Sequence, residues 1–156
     1  MSLDPKSIQN IYVLCGTNNV DKILNVPFSK CSSQVSSSYD VNFDQNCFNH
    51  TTQEFDQIYQ FLHNWNSNAL INFVNLLPRV SLARNQVINM LNNYLYNQCS
   101  KSNAANFINT ENTRNLFCRN GYRNDVYFSM TGSDNVHLDH AGIIRISKHL
   151  KYLAHN

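Results

Sequence analysis

The strongest constraint on the fold is an alternation of short apolar runs with longer segments in which apolar residues recur at helical spacing. Residues 8–15 supply Ile8, Ile11, Tyr12, Val13, Leu14 and Cys15 and stop at Gly16-Thr17-Asn18-Asn19. A run this short and this rich in β-formers reads as a buried strand ended by a tight turn. Phe55, Ile58, Tyr59, Leu62 and Trp65 then follow at helical spacing, behind Thr51-Thr52-Gln53-Glu54, which looks like a helix start with a hydroxyl cap and an acid in the first turn. Residues 69–77 form a second apolar run, stopped by Pro78-Arg79, and residues 81–99 a second amphipathic segment with Val87, Ile88, Leu91, Tyr94 and Leu95 on one face. Strand, helix, strand, helix is the rhythm of a parallel sheet covered on both faces.

The remaining stretches are less regular. Residues 25–50 contain Pro27 and the serine-rich segment Cys31-Ser32-Ser33-Gln34-Val35-Ser36-Ser37-Ser38, and read as a long loop or an insertion. Asn106-Phe107-Ile108-Asn109 fits a short third strand, and residues 116–128 irregular structure anchored by Leu116, Phe117, Val126, Tyr127 and Phe128. A last helix is expected from Asp139 or His140, with Ile143, Ile144, Ile146, Leu150 and Leu153 inward. Lys148, His149 and Lys151 stand near its C-terminal end, where the helix dipole favours positive charge. The chain of 156 residues suits one domain spanning residues 1–156.

Composition narrows the function classes. Only 14% of residues are charged, and polarity comes instead from 26 asparagines, scattered rather than tracted, which points to coding bias and away from a prion-like segment. The net charge of +2 is spread along the chain, with Arg114, Arg119 and Arg123 the loosest hint of a basic loop, so nucleic-acid binding is weakly supported. Arg79, just past a strand end, reads as a solvated cation, and Trp65 with the other aromatics as core. The N-terminus has no signal-peptide pattern, and no apolar span approaches the ~18 residues of a membrane helix. A cytoplasmic, membrane-free protein is therefore the expectation. The five cysteines include no CxxC pair and read as free thiols. His137, His140 and Asp134 fall short of a four-ligand zinc set, so no metal is expected.

One stretch looks built for chemistry: Asp134-Asn135-Val136-His137, followed by Leu138 and by Ala141-Gly142 at the opening of the last helix. It could be an ordinary polar turn that caps this helix. It also offers a carboxylate able to fold back on a histidine, fixing its tautomer and leaving the opposite ring nitrogen to take a proton. The turn after the first strand offers what acyl transfer also needs, a side-chain amide aimed at a developing oxyanion.

These residues resemble two conserved blocks of the SGNH (GDSL-type) hydrolase superfamily: Gly16-Thr17-Asn18-Asn19 is similar to its third block, Gly-x-Asn-Asp, and Asp134-Asn135-Val136-His137 to its fifth, Asp-x-x-His. The resemblance covers roughly residues 8–154 and is nearest in look to SGNH-like domains of insect retroelement and viral open reading frames. It implies a flavodoxin-like three-layer α/β/α fold with a mainly parallel sheet and the site at the carboxyl ends of the strands. It assigns Asn18 as oxyanion donor, His137 as general base and Asp134 as its orienting carboxylate, with Gly16 and Asn19 supporting the turn. Its substrates are esters, and it needs no metal or organic cofactor. Two departures stand out. Asn19 replaces the family's Asp, and no serine stands in a Gly-Asp-Ser context, the family's first block. The expectation is therefore a hydrolase scaffold incomplete at its N-terminal side and inactive alone. It would be a fragment, a degenerate descendant, or a site completed by an upstream segment or a second chain. The alternative is a non-catalytic interaction or nucleic-acid-associated module of a mobile-element or viral protein.

Overall fold

Three strands, β1 (Asn10–Val13), β2 (Leu70–Val74) and β3 (Ala105–Ile108), pair in parallel in the order β1-β2-β3 in a computed structural model that describes residues 4–25, 43–79, 81–111, 116–119, 122–128 and 137–154. The register sets Val13 beside Phe73 and Phe73 beside Phe107, so these side chains share one face. On that face Ile71 and Phe73 pack against α1 (Asn19–Ile23), α2 (Gln45–Trp65) and α3 (Leu82–Cys99), through Val20, Ile23, Phe55, Val87, Ile88 and Leu91. Alternation along β2 sends Val74 to the opposite face, where it and Leu77 join Leu116, Phe117, Phe128 and Ile146 of α4 (His140–Ala154). Each large apolar side chain buried this way contributes about 1.5–3 kcal/mol. The sheet is thus the middle layer of a flavodoxin-like α/β/α arrangement.

Asn72 interrupts the apolar run of β2, and the sheet accounts for it. The residue is buried, and its amide donates to Asn10 Oδ1 at 3.2 Å and to the Leu70 carbonyl at 3.1 Å, while its own oxygen accepts from Asn106 at 3.3 Å. A row of asparagines therefore crosses all three strands on the α4 side, each amide offsetting the desolvation of the next.

Besides Trp65, expected in the core but 46% exposed at the end of α2, three sequence expectations change. Helix α2 begins at Gln45, not at Thr51, because Asp44 accepts a hydrogen bond from the Cys47 N–H and caps it there. The loop read across residues 25–50 thus loses its last six positions to the helix, and residues 26–42 lie outside the described residues. Thr51 and Thr52 instead sit buried inside α2, their hydroxyls donating to the carbonyls of Cys47 and Asn49.

The second change is in residues 116–128, which hold a two-stranded antiparallel pair, β4 (Cys118–Arg119) and β5 (Tyr122–Arg123), and a 3-10 turn at Asp125–Tyr127. Val126 is 69% exposed and anchors nothing. The third is the rotation of α4: Ile143 is 53% and Ile144 40% exposed, and Leu153 also faces outward, while Gly142, Ile146 and His149 are buried. Gly142 sets this rotation. A Cβ there would run into the Tyr127 carbonyl and the Leu138 side chain, so only glycine lets the first turn lie this close. No helix among the described residues is long and apolar enough to cross a membrane.

Candidate active site

Ligands of open parallel sheets bind beyond the carboxyl ends of the strands, and there this chain concentrates its polar side chains. β1 is followed by Gly16 at φ 95°, a backbone conformation that disfavours any Cβ; a Cβ would in addition meet the Phe55 ring at 2.7 Å. The turn it makes leads into α1. Asn18 stands at the N-cap of α1, exposed, and its amide makes no capping hydrogen bond. The neighbouring Asn19 does structural work: its amide donates to Thr51 Oγ1 at 3.1 Å and Glu54 Oε2 at 2.9 Å, fastening the turn to α2.

A buried ion cluster fastens the same turn to the rest of the site. Asp21 of α1 accepts from Arg79 Nη2 at 3.0 Å and from Arg84 Nε at 2.5 Å, and all three side chains are at least nine-tenths buried. Arg79 also donates to the Thr17 carbonyl at 3.5 Å. Arg79 is therefore not the solvated cation its place after a strand suggested. It is the link between the ends of β1 and β2.

After β2 the Asn75 N–H still donates to the Ile108 carbonyl of β3, and for the residues beyond it α3 supplies backbone partners. Asn92 accepts from the Leu76 N–H at 2.7 Å and donates to the Leu76 carbonyl at 3.3 Å. Asn85 does the same for Arg79, both bonds at 2.7 Å. Each amide thus stands in for a neighbouring strand. Asn75 bridges to the end of β3, its oxygen accepting from the N–H and the hydroxyl of the fully buried Thr110, both at 2.8 Å. Glu111 next to it accepts from the N–H groups of Phe117 and Cys118.

Between these groups lies a cleft of about 560 Å³, walled by Asn75, Pro78, Arg79, Asn89, Asn109, Glu111, Cys118 and Arg123. None of these but Arg79 and Arg123 stood out in the sequence. The asparagines were hidden by the general excess of that residue; their positions directly after strands, or at heptad spacing on α3, were the available signal. Arg123 is not part of a free basic loop either. It pairs with Asp125 at 2.7 Å and lies 4.4 Å from the centre of the Phe128 ring.

His137 is exposed and lies one residue before Leu138, which bridges Phe128 in antiparallel fashion. Leu138 packs against the cluster that contains Val74, Leu77, Phe117, Phe128 and Ile146, on the α4 side of the sheet. Gly16, Asn18 and Asn19 stand together on the β1–α1 turn, beyond the carboxyl end of β1. Asp134 lies outside the described residues. In the first turn of α4 Asp139 accepts from the Gly142 N–H at 2.7 Å.

Two thiols are near enough to raise the question of an alternative nucleophile. Burial, reinforced by Glu111, pushes the Cys118 thiol up to about 11, and burial with Glu54 nearby raises Cys15. Both are protonated at neutral pH, the unreactive form. Among the described residues no group of His, Cys, Asp or Glu is arranged to hold a metal ion.

No family model matches the chain, and no curated protein matches it. Solved structures do. A Streptococcus pneumonia protein provisionally described as a platelet activating factor superposes with a TM-score of 0.65 at 20% identity, over 94% of this chain and 60% of that one. An acetyl xylan esterase from the rumen bacterium Butyrivibrio proteoclasticus matches more loosely, with a TM-score of 0.41 at 22% identity over 68% of this chain and 29% of that one. The chain spans about 60% of the length of the first of these proteins, and what the two share is the fold.

Proposed function

We propose that the chain carries an acyl-ester site of the SGNH hydrolase type, with Asn18 as oxyanion donor, His137 as general base and Asp134 as the carboxylate that orients it. One observation supports the reading: an exposed Asn18 amide, making no capping hydrogen bond to α1, stands on the turn beyond the carboxyl end of β1, where open parallel sheets bind ligands. A serine brought there would pass its proton to His137 as its oxygen attacks the ester carbonyl, and the new oxyanion would take the Asn18 N–H. The proton then leaves with the alcohol, and water releases the acyl group by the same path. The 156 residues hold no serine in a Gly-Asp-Ser context, and burial raises the Cys15 and Cys118 thiols, so in this reading neither motif nor thiol supplies the nucleophile. The reading takes the nucleophile from an upstream segment or a second chain, or treats the site as a degenerate one that has lost it. Kinship with mobile-element or viral reading frames is part of the same proposal and rests on the motifs only.

A short ester that the chain cannot cleave makes the test direct. Titrating the labelled protein with phenyl butyrate should shift the Asn18 side-chain amide and the His137 ring in NMR spectra, and Asn18→Ala should weaken binding. Neither p-nitrophenyl acetate hydrolysis nor fluorophosphonate labelling is expected. Shifts confined to other surfaces, or hydrolysis that survives His137→Ala, would overturn the assignment.

A further inference from the structure

The outward face of α4 combines two properties that a free helix surface seldom joins. Between His140 and Ala154 the helix has Arg145, Lys148 and Lys151 and no acidic residue. Its exposed large apolar side chains include Ile143, Ile144 and Tyr152, at 53%, 40% and 50% exposure. Ile144, Lys148 and Lys151 stand at i, i+4 and i+7, so cations and apolar groups interleave on one stripe. Beside the stripe an open hollow of about 650 Å³ is lined by Leu116, Tyr127, Ile144, Arg145 and Lys148. Arg145 is fixed over the Tyr127 ring and donates to the Leu116 carbonyl at 2.7 Å, so it holds the hollow's wall in place.

We propose that this face of α4 docks on an anionic lipid surface, lying flat in the headgroup region. Charge complementarity selects the sign of the partner, and the isoleucines select its kind. A nucleic-acid backbone would pair with Lys148 and Lys151 but gain nothing from Ile143 and Ile144, whereas a bilayer interface rewards both. This is peripheral contact and needs no membrane-spanning segment. The helix starts three residues after His137, so docking sets the site beside the lipid and makes esters held in that surface the substrate class. That last step rests on the acyl-ester reading; the docking itself does not.

Co-sedimentation with vesicles tests it, using equimolar phosphatidylserine and phosphatidylcholine against phosphatidylcholine alone. The unmodified chain should bind the anionic vesicles selectively, and salt should release it. Lys148→Glu with Lys151→Glu should weaken binding about tenfold or more. Ile143→Ser with Ile144→Ser should weaken it while circular dichroism shows the fold retained, because both side chains are about half exposed and outside the buried core. His137→Ala should bind vesicles as the unmodified chain does, which separates docking from the acyl-ester site. Binding to neither vesicle, equal binding to both, or binding that ignores either double substitution overturns the proposal. So does displacement by polyuridylate that the isoleucine substitutions do not affect, which would make nucleic acid the partner.

Discussion

Asn19 shows how one atom decides a motif position. The resembling family has a carboxylate there, and in this chain the side-chain nitrogen instead donates to Glu54 at 2.9 Å and to Thr51 at 3.1 Å. A carboxylate at 19 would set two negative charges about 3 Å apart and turn a donor into an acceptor facing another acceptor. Asn19→Asp should therefore destabilise the fold by about 1–3 kcal/mol in urea unfolding. Glu54→Gln in the same chain should recover most of the loss, because the amide it introduces can donate to the new carboxylate. Equal stability of Asn19→Asp and the unmodified protein would mean that the pair is not what fixes the turn. The sequence displayed Asn19 as a departure but not its compensation, since Glu54 lies 35 positions away on another element.

At the scale of elements, the strands and the three long helices were legible because periodicity reports which face is buried. What escaped was set by single polar contacts. Asp44 starts α2 six residues before the Thr-Thr pair that looked like its cap, and Gly142 turns α4 so that two of its isoleucines face water. Helix α3 makes the point most clearly: its apolar face was readable, but Asn85 and Asn92 looked like part of a compositional excess. They are in fact hydrogen-bond partners of the backbone that follows β2, at Leu76 and Arg79. Asn92→Ala leaves the Leu76 N–H and carbonyl without these bonds in a part-buried place, which should cost about 1–3 kcal/mol. Asn93→Ala, at a neighbouring position of the same helix, is the control. If the two substitutions cost the same, helix propensity and not backbone pairing is being measured.

Across the whole molecule, the alternation of runs and amphipathic segments gave the layers, and Gly16 marked the turn at the carboxyl end of β1. It did not give the cleft. Its walls come from residues after β2, after β3 and on α3 that only the fold assembles, and the Asp134 assignment falls on a residue outside the described ones. The cluster of Asp21, Arg79 and Arg84 is the clearest case of such assembly, because it joins α1, the segment after β2 and the start of α3 through one carboxylate. Two guanidiniums share that carboxylate in a place nearly closed to water, so its removal leaves buried positive charge without its counter-ion, a loss of about 3–5 kcal/mol. Asp21→Ala should lower the urea midpoint by the equivalent amount and speed amide hydrogen exchange at residues 16–18, whose turn is tied to Arg79 through the Thr17 carbonyl. Arg79→Met should speed exchange at the same turn while costing less stability, since the Asp21 charge keeps Arg84. If Asp21→Ala lowers stability but leaves exchange at residues 16–18 unchanged, the cluster supports the core without positioning Asn18, and the turn must be held by Asn19 and Gly16 alone.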